Sequence, residues 1–335
     1  MAHKIYKWSE ICSYYSRGAL LLGNGASIAI DPNFGYSSLI DFASENNFLT
    51  EDVSLLFKFF ETNDFELVLR LVWQASNVNK SLGVPDDKTH KAYLRVRDCL
   101  IKAVRGIHPQ HHEVSFYLEP IYNFIKNFDT VISLNYDLIL YWASMYGNGI
   151  YDQHTIKDCF INGVFRNDWE WLRGKLNFDK TTTLVFYPHG NLILVRDKVE
   201  SEFKLNKRNV CLLNEILDAW ASEECVPLFV CEGSSQQKIK SIEGSHYLSV
   251  IYREVYQKIG EKLVIYGWGI GKQDEYILNR IVKSNVKSIA ISVHGNNQAY
   301  CNHVISAIHQ VIHPSRVKVE FFASDSPGCW NNFDW

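Results

Sequence analysis

Apolar residues cluster into short, nearly continuous runs that end in polar or small residues. Six such runs are "TVISLNYD" (130–137), "TTLVFYPHG" (182–190), "VPLFVCEG" (226–233), "KLVIYGWG" (262–269), "SIAISVHG" (288–295) and "VKVEFFAS" (317–324), and a seventh opens "ALLLGNGASIAID" (19–31). Runs rich in β-branched and aromatic residues, without clean alternation, suit strands covered on both faces of a parallel sheet. Helical patterns over 245–259, 274–282 and 297–311 separate the last four. That alternation predicts an α/β fold, doubly wound around a mainly parallel, Rossmann-like sheet.

Between Ser27 and Thr130 the period changes to that of helices. Thr50 before Glu51 and Asp52, and Asn63 before Glu66, read as helix starts. Phe65, Val68, Leu69 and Val72 form one apolar stripe; Ala92, Val96, Cys99, Leu100, Ala103 and Val104 form another. A further helix is expected over about 116–128. A βαβ unit needs only about 30 residues, so 45–128 is predicted to be a helical insertion within one domain spanning 1–335. A segment rich in Asn, Asp and Trp between Tyr146 and Thr181 is expected to cover one edge.

Composition narrows the classes. The chain has 335 residues, 47% hydrophobic and 21% charged, which is the balance of an ordinary globular protein. A net charge of −3 gives no general attraction to nucleic acid, and "KLNKR" (204–208) reads as a solvated surface. No stretch keeps 18 apolar residues together and the first residues lack a signal-peptide core, so a cytoplasmic protein that does not enter a membrane is expected. The eight cysteines form no C-x-x-C pair, so they read as free thiols rather than metal ligands.

Ligands of open α/β sheets sit beyond the carboxyl ends of the strands. Polar and small residues gather there: Gly23, Asn24, Gly25, Ala26 and Ser27; Asn135, Tyr136 and Asp137; His189 and Gly190; Glu232, Gly233, Ser234 and Ser235; Gly267, Trp268 and Gly269. Each group alone has an ordinary structural explanation as a turn, cap or bend. Five on one rim point to a site.

The pattern resembles the sirtuin-like superfamily, in particular the divergent sirtuin-like NAD hydrolases of bacterial antiphage defence. The likeness rests on "GNGAS" (23–27), "SLNYD" (133–137), "PHG" (188–190), "EGSS" (232–235) and "YGWGIGKQDEYI" (266–277). Two departures matter: the cysteine pairs of the deacylase zinc ribbon are missing, and "DPNFGYSS" (31–38) replaces the Asp-Phe-Arg-Gly segment. Phe34 or Tyr36 is a candidate to cover the nicotinamide side.

The resemblance implies NAD as substrate, no required cofactor, and release of nicotinamide and ADP-ribose. Gly23, Asn24, Gly25, Ala26 and Ser27 would hold the pyrophosphate through backbone N–H groups and a hydroxyl. Asn135 would orient the nicotinamide ribose and water, and Asp137 would stabilise the site or hold a ribose hydroxyl. His189 is expected to accept a proton. Gly233 and Ser234 would contact the adenosine ribose, with Gly267 and Gly269 at the adenine end. The resemblance also implies gating by a homo-oligomer, a HerA-type ATPase or a phage-derived activator. Competing readings are a nucleotide-sensing module without catalysis, an NAD-dependent deacylase or ADP-ribosyl transferase, and a nucleotide hydrolase, for which no Walker lysine is present.

Other features read blandly. "HPQHH" (108–112) is expected to be a solvent-facing turn, and His294 a surface residue near the rim. The tail "CWNNFDW" would pack on a neighbour or close the core.

Overall fold

Ala19, Leu20, Leu21 and Leu22 are all buried, as a strand sandwiched between two helical layers requires. In the computed structural model, which describes residues 2–35, 38–150, 152–174, 181–206, 211–230 and 232–334, they form the second of thirteen strands. In chain order these are β1 (Ile5–Tyr6), β2 (Ala19–Leu22), β3 (Thr130–Ser133), β4 (His154–Lys157), β5 (Phe160–Ile161), β6 (Val164–Phe165), β7 (Thr181–Phe186), β8 (Gly190–Asp197), β9 (Glu202–Lys204), β10 (Cys225–Phe229), β11 (Lys262–Tyr266), β12 (Ser288–Val293) and β13 (Lys318–Ala323).

Eight strands form the main sheet in the order β1-β13-β12-β11-β2-β3-β7-β4, every pair parallel. The fold is thus α/β with a large parallel, Rossmann-like sheet. From β2 the chain builds outward through β3 and β7, then returns to the other side of β2 with β11, β12 and β13. The β2/β11 junction is therefore the topological switch point, where open α/β sheets leave a crevice for ligands.

One strand departs from expectation. Residues 226–233 were expected in the parallel sheet, but β10 pairs antiparallel with β8, which also pairs with β9, in a separate three-stranded sheet. A fully buried apolar run does not reveal its partner's direction, and β8, which starts at the Gly190 bend, supplied an edge nearer than the main sheet. The edge segment contributes β4, paired to β7, and the β5–β6 hairpin.

Helices occupy the insertion at Glu51–Phe59, Phe65–Ser81, Asp87–Ile107, His111–Val114 and Leu118–Ile125. Asp64, rather than Asn63, caps the second, accepting from the N–H groups of Glu66 and Leu67. The expected 245–259 helix is present but uneven: His246–Val250 is α, Ile251–Val255 is a π turn and Tyr256–Lys258 is 3₁₀. The tail closes the core: Trp330 is buried and donates from Nε1 to the Ala26 carbonyl at 2.8 Å.

Candidate functional site

The glycine turn after β2 is locked to the turn after β11. Gly23 N–H donates to Tyr266 O at 2.9 Å, Gly25 N–H to Gly267 O at 2.7 Å, and Ala26 N–H to Gly23 O at 2.9 Å. The sequence expectation that Gly23, Gly25 and Ala26 present these N–H groups to a pyrophosphate is therefore corrected: the end of β11 and the turn after it take the first two, and the Gly23 carbonyl takes the third. The glycines are needed for that interlock. A Cβ on Gly23 would lie 2.5 Å from Trp268 Cα, one on Gly25 2.8 Å from Gly267 Cα, and one on Gly267, at φ +68°, 2.4 Å from Ala26 N.

Ser27 also turns inward. Its hydroxyl donates to Asp137 Oδ2 at 2.5 Å and accepts from Asn135 Nδ2 at 2.8 Å, so it is not the expected phosphate ligand. Asn135 Nδ2 donates again to Gly23 O at 3.0 Å, which leaves the amide oxygen as the group this side chain offers to a ligand. Asp137 is buried and its other oxygen accepts from Ile139 N–H at 2.8 Å, starting the helix Ile139–Asn148. Asn191 holds the same loop from the small sheet, donating to Asp137 O at 2.6 Å.

His108 fastens the next peptide. It is buried, contrary to the expected solvent-facing turn, because its ring lies edge-on to Phe34 and to Trp142, with centroids 5.5 and 5.2 Å away. Nδ1–H donates to Pro109 O, and Nε2 accepts the Leu138 N–H at 2.9 Å. Burial pulls its pKa below the ordinary histidine value.

These residues border a cavity of about 430 Å³ at the switch point. Gly23, Asn24, Gly25, Asn135, Asp137, His189, Gly267 and Gly269 line it, whereas Ala26 and Ser27 lie buried behind it. Gly233 and Ser234 are not among its lining residues. Ser234 instead caps the helix Ser235–Glu243 in a reciprocal bond with Gln237, and its neighbours Glu232 and Lys238 reach the cavity. Phe34 lines the cavity; Tyr36, Lys207, Arg208 and Cys231 lie outside the described residues. His294 is exposed and outside the lining.

His189 sits on the wall with both ring nitrogens engaged. Nδ1–H donates to Leu134 O at 3.2 Å, and Nε2 accepts the Tyr276 hydroxyl. Burial, then the Lys238 cation, pull its pKa down to about 4, so the ring is neutral at physiological pH. Lys238 itself is paired with Asp274 at 2.9 Å, both largely buried, and Trp268 Nε1 donates to the second Asp274 oxygen at 3.3 Å.

Glu232 is the group the sequence named only as a strand end. Its Oε1 accepts the Leu39 N–H, while Oε2 is buried without a hydrogen-bond partner. Burial, assisted by Asp64 and Asp41, pushes its pKa up to about 8. Asp274 and Tyr276 were inside the quoted 266–277 segment, but nothing in their spacing marked them for this wall.

The chain matches the family model described as a domain of unknown function (DUF4917) over residues 20–330, and it belongs to that family. No curated protein matches it. No helix among the described residues is long and apolar enough to cross a membrane.

Proposed function

We propose that this chain is an NAD glycohydrolase, cleaving the nicotinamide–ribose bond to give nicotinamide and ADP-ribose. The supporting observation is the convergence of Asn135, Asp137 and His189, far apart in sequence, on one cavity at the switch point. The resemblance set out above supplies the substrate. It also supplies the setting, a cytoplasmic effector of antiphage defence held in check by self-assembly, a HerA-type ATPase or a phage component.

The chemistry asks little of the protein. The C1′–N bond breaks with its electron pair moving to the pyridinium nitrogen, so nicotinamide leaves neutral and needs no acid. The sugar passes through an oxocarbenium-like centre, which the acidic side chains Asp137 and Asp274 around the cavity favour. Water then bonds to C1′ and gives up one proton. Asn135, fixed by its two donated bonds, accepts from that water or from a ribose hydroxyl. The uncharged His189 is the acceptor the resemblance implies, taking the proton at Nε2 once the Tyr276 hydroxyl gives up that position, and its low pKa passes the proton on to solvent.

A sensing role without catalysis remains the second reading, favoured by the occupied Nε2 of His189. One assay separates the two. Nicotinamide and ADP-ribose release from NAD is measured with and without candidate activators, for wild type, Asn135→Ala and His189→Ala. The expected result is release by the wild type and a loss of about 10²-fold or more in each variant. Equal release by all three removes these residues from the reaction, and tight NAD binding with no release under any condition establishes the sensor.

A further inference from the structure

A dinucleotide brings two kinds of group to a site, the anionic diphosphate and the neutral or cationic nucleoside. The cavity is built for only one of them. Three acidic side chains, Asp137, Glu232 and Asp274, line it against one lysine, and that lysine is paired with Asp274. The glycine turn has its Gly23, Gly25 and Ala26 N–H groups bonded to backbone, so those three donors are not offered to an anion. Among the described lining residues no arginine or unpaired lysine takes their place. At about 430 Å³ the space lies toward the small end of ligand pockets, about 300–1,000 Å³.

Two lining residues carry a polar atom that lacks a partner, Glu232 at Oε2 and Tyr136 at its hydroxyl. Glu232 Oε2 is buried with no hydrogen bond, and a buried polar group in that state costs free energy until a donor or acceptor arrives. Asp64 and Asp41 act on the carboxyl from the insertion side and Lys238 from the helix beside it, so no cation is poised to neutralise it directly. A hydroxyl both gives and accepts a hydrogen bond, and therefore satisfies Oε2 in either protonation state.

Resting on the glycohydrolase reading, we infer that the cavity recognises the nicotinamide riboside half of its substrate, with Glu232 Oε2 taking a ribose hydroxyl and the diphosphate lying outside. The cationic pyridinium suits the Asp137 and Asp274 side chains of the lining, and Phe34 gives it an aromatic wall. The phosphates then contribute little to affinity.

The test is calorimetric titration of the full chain with three probes: nicotinamide riboside, NAD and ADP. Nicotinamide riboside is expected to bind within about tenfold of NAD, and ADP at least tenfold more weakly than either. Glu232→Gln and Glu232→Ala should weaken the riboside and NAD by the same factor, about tenfold to hundredfold, the loss of one hydrogen bond to an ionisable group. ADP binding as tightly as NAD, or riboside binding more than a hundredfold weaker than NAD, overturns this inference and leaves the glycohydrolase reading standing. Unchanged affinity in both folded variants removes Glu232 from recognition. If the variants do not fold, the wild-type riboside-to-ADP ratio still decides. Failure of NAD itself to bind overturns the parent reading instead.

Discussion

The two walls of the cavity are built on opposite terms. On one, Gly23–Ser27, Asn135, Asp137 and Gly267 satisfy one another: two turns interlock through backbone bonds, and Ser27 joins Asn135 to Asp137. On the other, Glu232, His189, Lys238 and Asp274 are polar groups in low-dielectric surroundings, with the pKa values of the first two displaced in opposite directions and one oxygen unpaired. The wall with the glycine motif is scaffold that aims Asn135. The wall that carries His189, Glu232 and Asp274 holds the displaced pKa values that mark functional sites.

The sharpest way to break that contrast is to remove the interlock. Gly267→Ala places a Cβ 2.4 Å from Ala26 N and holds a non-glycine residue at φ +68°, so backbone must move on both turns. Left-handed geometry alone costs about 1–2 kcal/mol, and the backbone collision raises the expected loss to roughly 3 kcal/mol or more. Urea unfolding measures it. A variant as stable as wild type would show that the two turns are not packed as a unit.

The opposite wall answers to pH, with two signs. His189 has its pKa lowered from 6.5 to about 4, so between those values the unfolded chain binds more protons and stability falls as the solution is acidified. Glu232 is raised from 4.5 to about 8: its contribution is fully present below 4.5 and is lost as pH rises through 8. Each window represents on the order of a few kcal/mol. The two windows offset each other between pH 5 and 6.5, so unfolding free energies at pH 5, 6.5 and 8 should fall from 5 to 6.5 in His189→Gln, rise over that range in Glu232→Gln, and fall less steeply from 6.5 to 8 in Glu232→Gln than in the wild type. Parallel profiles for both variants and the wild type would mean that neither group is buried as described.

What could be read from the chain follows from how local each signal was. The β2, β3, β11 and β12 strands announce themselves because burial on both faces leaves the run mostly apolar, whereas β7 and β13 open on exposed residues and are marked by the apolar stretch that follows. Their carboxyl ends brought Asn135, Asp137 and His189 to one place. Strand direction was not legible at β10, whose antiparallel partner β8 sits one turn after His189. Nor was the use made of the glycines, since Gly-x-Gly is equally suited to cradling an anion and to admitting a second backbone. The Tyr276–His189 and Lys238–Asp274 pairs depend on helices packing across the cavity, information spread over 36 to 87 residues of separation. His108 looked exposed because its neighbours are polar, yet Phe34 and Trp142 enclose it.

The smallest expected effect is the most exacting control. Gly269 is two residues beyond Gly267, lines the same cavity, and belongs to the same Gly-Trp-Gly segment. Nothing lies within 4 Å of a Cβ built on it, and its φ is not in the left-handed region. Gly269→Ala should therefore change stability by no more than about 0.5 kcal/mol, and the reduced freedom of its unfolded chain pushes the sign toward stabilisation. The melting temperature should move by less than about 2 °C. If this substitution proves as damaging as Gly267→Ala, the segment tolerates no side chain anywhere, and the interlock with Gly23 and Gly25 is not what the glycine at 267 is for.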